Sequence, residues 1–369
     1  SRPAPPRGGR RSPGPSAKCA RSPRAADGKG KERGPRALKP SAVRQLYGLM
    51  NAREAVSRSK AVGRHGPLAY KGLPKEYADF LREKVCPNVH RSEDWTTRQL
   101  HRLAQAKARW AACGSEDERQ HLARLLVLNF AVWRFVGGTP AFARELGFLR
   151  GWGRREKQRI RGLVTRAWRE RWTNDLFSDA YEGTRKIRTS LLGDRRRLQA
   201  VLYNTGPKAI VGEPGITFYT IEGKLRALDG LWAVAPEAVK AAEPDPLTGR
   251  TRWQPVCEAV GQAPFFGSAA GSTRVPTFFA KEVVQDLLDT PVFQGGRANV
   301  EDLRRFCPAG PGALCGLQMI VGLPQPPKQD EAMRLMRGLL LAAGGPGGWK
   351  YGRRPGGGLD MHDVQFMLC

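Results

Sequence analysis

Two stretches carry polar residues that could act together in chemistry. Asn88, Arg91 and Asp94 are three residues apart, so a helix would place an amide, a cation and a carboxylate on one face. A capping loop with an ordinary Arg–Asp pair is the simpler alternative. Asn129 and Arg134 interrupt a run too apolar to be exposed all round. A buried guanidinium needs an anionic partner, so Arg134 predicts a nearby carboxylate or a ligand phosphate.

A third stretch, 176–181, is polar and aromatic and includes Phe177 and Tyr181. Their aromatic rings offer flat faces on which a base could stack. Taken alone, this stretch specifies no chemistry.

A bend rich in glycine and proline lies further along the chain. It consists of Gly310, Pro311, Gly312 and Ala313. Segments predicted as helices, 299–306 and 312–322, flank it, and backbone N–H groups at a helix N-terminus can bind a phosphate oxygen. This is the arrangement of a helix-hairpin-helix, which holds a DNA backbone. A loop that Gly and Pro only turn is the alternative.

The charge of the chain points to the class of partner. The 369 residues carry a formal net charge of +28. Such a charge destabilises a compact state unless a polyanion relieves it, so DNA is the first partner to consider and an anionic membrane the weaker one. No apolar run approaches the roughly 18–20 residues of a membrane span.

Cysteine and histidine spacing gives no metal or cofactor signal. The seven cysteines are odd in number and never spaced C-x-x-C, which fits a reducing compartment better than a disulfide framework. The five histidines show no metal-ligand spacing, and phosphate-loop and common hydrolase motifs are absent. We therefore predict no metal and no cofactor.

Residues 1–66 are predicted to be a mostly disordered basic arm, with a short helix only at 42–55. Apolar side chains are almost absent from its first 40 residues, so little could be buried to offset the entropy of ordering. A DNA-binding arm or nuclear address, an organelle transit peptide and a solvated tail are the alternatives. The chain lacks an initial Met and stops inside a helical pattern, so we expect a fragment at both ends.

The remainder, 67–369, is predicted to be one mainly α domain that positions these groups. Helices are predicted over 74–85, 96–112, 115–135, 154–172, 191–204, 223–240, 277–288 and 330–343, with one starting at Thr139-Pro140 and a last one from Leu359. Residues 209–220 are the best strand or hairpin candidate, and 243–261 are interpreted as a polar insertion.

The order of these pieces over about 75–369 resembles the α-glutamyl/putrescinyl thymine pyrophosphorylase family, also found as the helical domain of 5-hydroxymethyluracil DNA kinases. The matching pieces are Asn88–Asp94, Asn129–Arg134, Phe177–Tyr181, Phe279 with Ala280 and Asp286, Gly310–Leu317, and Asp363–Cys369. The family's bend continues with two Arg, where this chain has Leu314 and Cys315, which puts activity in doubt more than fold.

The resemblance implies a helix-hairpin-helix fold like that of DNA glycosylases. It implies an enzyme that replaces pyrophosphate on an activated 5-hydroxymethyluracil in DNA with an amine, such as an amino acid or polyamine. Arg91 and Arg134 would then bind the departing oxygens, Asn88 would read the base, and Asp94 would orient or deprotonate the amine. Phe177 or Tyr181 would stack on the extruded base. A separate kinase would have to supply the activated base.

Two other functions fit the same residues. A DNA glycosylase would use an Asp about twenty residues after the bend, and Asp330 lies at that distance, although an acid in the first turn of a helix is the plainer interpretation. A DNA-binding module without activity is the other alternative, which the missing Arg pair favours. The basic arm favours a nuclear location, with an organelle as the alternative.

Overall fold

The computed structural model describes residues 38–83, 89–90, 94–169, 221–270, 273–351 and 359–368. Within Leu38–Cys369, these residues belong to one compact unit. The helix predicted at 191–204 and the hairpin predicted at 209–220 lie outside the described residues, as do residues 1–37.

The described chain is mainly helical, as the sequence predicts. Its α-helices are α1 Pro40–Ala61, α2 Lys75–Glu83, α3 Trp95–Ala104, α4 Ala106–Ala111, α5 Glu116–Val132, α6 Pro140–Leu146, α7 Arg154–Arg169, α8 Ile221–Ala241, α9 Trp253–Gly261, α10 Phe278–Leu287, α11 Pro311–Val321, α12 Gln329–Ala342 and α13 Met361–Met367. None of these helices is long and apolar enough to cross a membrane.

The α5 helix runs through the centre of the core because its second half is apolar on every side. It packs against α3, α4, α8 and α10. Asn129 is a polar residue within this apolar half, and its side-chain amide is hydrogen-bonded. Its Nδ2 donates to Leu125 O at 2.8 Å and to Leu149 O at 3.0 Å, and its Oδ1 accepts from Leu149 N at 2.7 Å. Asn129 therefore ties the loop after α6 to the core.

The ends of α5 and α6 follow the local sequence signals. Ser115 accepts a hydrogen bond from Glu118 N, and Glu118 reaches back to Gly114 N. After α5 a π-helical turn, Trp133–Gly137, carries Arg134 into the interior. Thr139 caps α6 by accepting from Phe142 N.

The prediction of disorder through residue 66 is wrong from residue 38 onward. Helix α1 is 22 residues long, and its Tyr47 and Met50 side chains are fully buried. Tyr47 Oη donates to Leu339 O at 2.5 Å, and Asn51 bonds both Gly348 O and Lys350 N. The apolar residues of α1 recur at helical spacing, so the helix packs into the core even though this part of the chain is basic.

The prediction of a helix at 299–306, the first helix of the hairpin, is also wrong. A 3-10 turn, Gly296–Asn299, ends before it, and 301–310 contain turns and extended backbone. Asp302 explains the difference because its carboxylate accepts from Trp253 N at 2.8 Å and Gln254 N at 2.9 Å. These are the first N–H groups of α9, so the segment caps another helix instead of forming its own.

The interval 243–261, interpreted as an insertion, divides into two parts. Its first part is an exposed loop, but its second part is α9, whose Trp253, Val256 and Cys257 are fully buried. A β-hairpin that the sequence did not predict follows, with β1 Gly267–Ala270 antiparallel to β2 Thr273–Pro276. Four-residue strands of small side chains have too little alternation to be recognised.

Replacing Asp302 with Ala should lower the free energy of unfolding by about 1–2 kcal/mol, because two buried N–H groups of α9 lose their acceptor. Urea denaturation measures this. Glu301→Ala is the control: its side chain makes only a long, exposed ion pair with Arg252 (3.3 Å), so a change below about 0.5 kcal/mol is expected. Equal stabilities of the two variants would contradict the capping role.

Candidate functional site

A buried ion pair joins α5 to α10. Arg134 Nε lies 2.7 Å from Asp286 Oδ2, and its Nη2 lies 2.8 Å from Oδ1, so the pair is bidentate. Both side chains are at most 3 % exposed. Of the two partners that the sequence allows for Arg134, the carboxylate is the one present.

The network continues into α3. Arg134 Nη2 also donates to Thr97 Oγ1 at 2.8 Å, and Thr97 N donates to Asp94 Oδ2 at 3.1 Å. Asp94 is the N-cap of α3 and is half-buried, and its Oδ1 accepts no hydrogen bond from any residue that the structure describes. One carboxylate oxygen therefore fixes the helix and the other is left for a further contact.

His101, one turn beyond Thr97, lies against this network. Burial lowers the pKa of His101, opposed by the negative charges of Asp286 and Asp289. Its ring packs on Phe130 at 5.1 Å, and its Nε2 has no hydrogen-bond partner. A neutral imidazole adds no second positive charge beside Arg134.

A second polar cluster joins α10 to α13. Lys281 Nζ donates to Glu282 Oε1 at 2.5 Å and to Gln365 Oε1 at 2.7 Å, and all three side chains are buried. On the same face of the fold His90 Nδ1 lies 3.2 Å from Asp363 Oδ1. His90 thus contacts α13, and Asp94 is linked through Thr97 to Arg134.

Two side chains near this cluster, an amide and an imidazole, have no hydrogen-bond partner among the residues that the structure describes. Gln285, one turn after Lys281, is 4 % exposed, and neither its Oε1 nor its Nε2 is hydrogen-bonded. His362 is fully buried, stacks on Trp253 at 3.8 Å and has no partner for either nitrogen. Burial lowers the pKa of His362 well below its ordinary value, so the ring is neutral.

A buried lysine and several aromatic rings border the π-helical turn. Lys224 is 1 % exposed and donates to Phe135 O. Burial lowers its pKa from 10.5 to about 7. Phe135 contacts Phe266 and Phe279 edge-on at 5.6 and 5.1 Å. Phe279 is partly exposed, and its ring contacts that of Phe135, the residue that follows Arg134.

The glycine bend does not present the surface that the sequence predicts. Gly310 is buried, and a Cβ on it would lie 2.6 Å from the ring of Phe278. The peptide groups of Ala309 bond the Gln329 side chain, N to Oε1 at 2.9 Å and O from Nε2 at 2.8 Å. Ala313 is buried as well, which leaves only Pro311 exposed and Gly312 half-buried. The bend is mainly a packing contact between α10 and α11.

The structure describes some of the predicted site residues and not others. Asp94 and Arg134 meet in one network through Thr97. Asn88, Arg91, Phe177 and Tyr181 lie outside the described residues, so their roles stay predictions.

Sequence reasoning missed Thr97, Lys224, Lys281 and Gln365. For Lys281 the signal was available, since a Lys-Glu pair interrupts an apolar helix much as Asn129 and Arg134 do.

An apolar cavity of about 550 Å³ lies apart from these groups. Residues of α1, α2, α11 and α13 line it, among them Leu46, Tyr77, Met319 and Met367. Glu76 is its only lining residue with a charge. We therefore take the polar clusters, and not this cavity, as the candidate site.

Among the described residues no group of three His, Cys, Asp or Glu side chains has the geometry to hold a metal ion. Comparisons with protein-family models, with curated proteins and with solved structures find no match to this chain.

A double-mutant cycle on Arg134 and Asp286 should reveal strong coupling. Arg134→Met and Asp286→Leu should each lower the free energy of unfolding by about 3–5 kcal/mol, because each leaves one buried charge unpaired. The loss in free energy of unfolding of the double variant should be smaller than the sum of the two single losses by at least about 2 kcal/mol. Urea denaturation provides the values, with Asp286→Asn as a milder replacement if Asp286→Leu does not fold. Additivity within about 0.5 kcal/mol would contradict the pair.

Lys224 should make stability rise with pH between about 7 and 10. Its folded-state pKa of about 7 lies below the ordinary 10.5, so in this range the unfolded chain binds a proton that the folded protein lacks. Stability should therefore gain about 1 kcal/mol per pH unit from this group. Lys224→Met should lose this gain relative to wild type in urea titrations at several pH values. The exposed control Lys240→Met should retain it, and parallel curves for wild type and Lys224→Met would contradict the assignment.

Proposed function

We propose that this protein modifies a pyrimidine in DNA, replacing the pyrophosphate of an activated 5-hydroxymethyluracil with an amine. The activated base would come from a separate DNA-base kinase, and the amine would be an amino acid or polyamine. A glycosylase-like helical arrangement is the finer fold within this proposal. A nuclear location remains part of the proposal and rests on the basic arm alone.

The observation that carries the proposal is the meeting of distant motif residues. Asp94, Arg134 and Asp286 belong to three different pieces of the resemblance and form one network. Asp363, from the last piece, pairs with His90, which lies within the first. A shared site requires such a meeting of residues far apart in sequence, whereas an accidental resemblance does not.

The reaction needs a proton acceptor and an anion site. The amine nitrogen bonds to the exocyclic methylene carbon, the bond from that carbon to the pyrophosphate oxygen breaks with its electron pair, and the amine loses one proton. Asp94 is suited to accept the proton because no described residue hydrogen-bonds its Oδ1. Phe279, which is partly exposed and contacts Phe135, is suited to stack on the base.

Arg134 takes a different role from the one that the resemblance implies. Asp286 neutralises its charge and fixes its direction, so it positions Thr97 and α3 instead of binding pyrophosphate. In the proposal, the cation on the departing oxygens is therefore Arg91.

One specific observation favours a DNA-binding protein without activity as the second candidate. Arg134 is neutralised by Asp286, so a cation that the resemblance assigns to the leaving group is no longer available for it. The glycosylase alternative gains no such support, since Asp330 is exposed in the first turn of α12, as a plain helix-terminal acid would be.

The proposal is tested by mass spectrometry of nucleosides from DNA containing pyrophosphorylated 5-hydroxymethyluracil, after incubation with the protein and mixed amines. We expect an amine-substituted thymine nucleoside and release of one pyrophosphate per product. Asp94→Asn should slow formation about 100-fold or more, because the amide cannot accept the proton.

Asp330→Asn is the matched control and should leave the rate unchanged. Abasic sites that Asp330→Asn abolishes would instead establish the glycosylase. DNA binding that falls steeply with salt, with no new nucleoside for any amine, would establish the inactive binding module.

A further inference from the structure

The outer face of α3 carries an exposed tryptophan in line with two arginines. Trp95, Arg98 and Arg102 are spaced i, i+3, i+7, so they form one stripe on the helix. Trp95 is 55 % exposed, and both arginines are exposed. The stripe spans about 10 Å along the helix axis.

These three side chains make no polar or aromatic contact with the part of the protein that the structure describes. None of them takes part in a hydrogen bond, an ion pair or a ring contact of its side chain anywhere in the part of the chain that the structure describes. The positive charge of the stripe is flanked by Glu93 and Asp94 in sequence on its N-terminal side, whereas residues 95–114 contain no Asp or Glu. The exposed Lys107 on α4 and Arg144 on α6, which packs against α3, add to it.

The opposite face of α3 holds the stripe rigid. Thr97, Leu100 and Ala104 are buried, and Thr97 is bonded to Arg134. The helix is thus fixed to the core by one face, and the exposed face is not needed for folding. A large exposed aromatic ring on a helix that is fixed to the core is suited to stack on a flat ligand.

We infer that the Trp95–Arg98–Arg102 stripe binds unpaired DNA, with Trp95 stacking on a base and the two arginines contacting phosphates. Aromatic stacking beside a cationic track is the usual way of holding a single strand. Trp95 follows Asp94 directly, so a strand along the stripe passes the carboxylate proposed to accept the proton. The inference rests on the proposed function for its choice of DNA, and it assigns the grip on DNA to α3 instead of to the glycine bend.

The test is fluorescence anisotropy of a labelled thymidine-rich single strand, titrated with the full chain at several salt concentrations. Trp95→Ala should weaken binding about 5- to 100-fold, whereas Trp95→Phe should stay within about 3-fold of wild type. Arg98→Ala/Arg102→Ala should reduce the slope of log affinity against log salt by about 1.4. Trp95→Ala should lose less affinity for duplex DNA of the same sequence than for the single strand, because paired bases offer no free face.

The matched control is Lys240→Ala/Arg250→Ala, which removes the same charge from two exposed positions on α8 and its following loop. A loss equal to that of the α3 pair would overturn the stripe and leave only general electrostatic attraction. Unchanged binding by Trp95→Ala, an equal loss on duplex DNA, or binding about tenfold tighter to RNA of the same sequence would each overturn the inference. Circular dichroism confirms that each variant is folded.

The two proposals fail in different ways. Normal strand binding through α3 with no amine-substituted nucleoside would overturn the proposed reaction and leave this inference intact. Formation of the nucleoside at the wild-type rate by Trp95→Ala, on an unpaired substrate below saturation, would overturn this inference and leave the reaction intact.

Discussion

The buried pair of Arg134 and Asp286 is the constraint on which the described site depends. Neither charge is tolerable alone in the core, so each fixes the other, and with them the ends of α5 and α10. Thr97 bonds the same guanidinium and thereby fixes the start of α3. One guanidinium thus sets the relative position of three helices and of the Asp94 carboxylate.

This constraint gives α3 two distinct faces. The inner face is committed to Arg134 and to apolar contacts, which leaves Trp95, Arg98 and Arg102 outward on a rigid element. Asp94 lies where the two faces meet, at the N-terminus of the helix. A proton acceptor beside a cationic and aromatic surface is a reasonable arrangement for chemistry on one nucleotide of a strand.

The sequence predicted the helices that carry their own signals. Ser115 and Thr139 placed the starts of α5 and α6, and the apolar run placed α5 in the core. The sequence alone does not indicate that Asp302 caps α9, because these hydrogen bonds join residues about fifty positions apart. Arg134 was recognised as needing an anion, but only the packing of α10 on α5 selects Asp286 over a ligand phosphate. The sequence did not reveal that Gly310 is buried, because the ring of Phe278 comes beside it only in the folded chain.

The most direct test of the account is a crystal structure with a short single strand that carries a non-hydrolysable pyrophosphonate analogue of the activated pyrimidine and a bound amine. The account predicts the amine nitrogen within hydrogen-bond distance of Asp94 Oδ1, the strand stacked on Trp95, and the bond between Arg134 and Asp286 intact. A pyrimidine bound on another surface, or Arg134 released from Asp286 to contact the phosphonate, would contradict it.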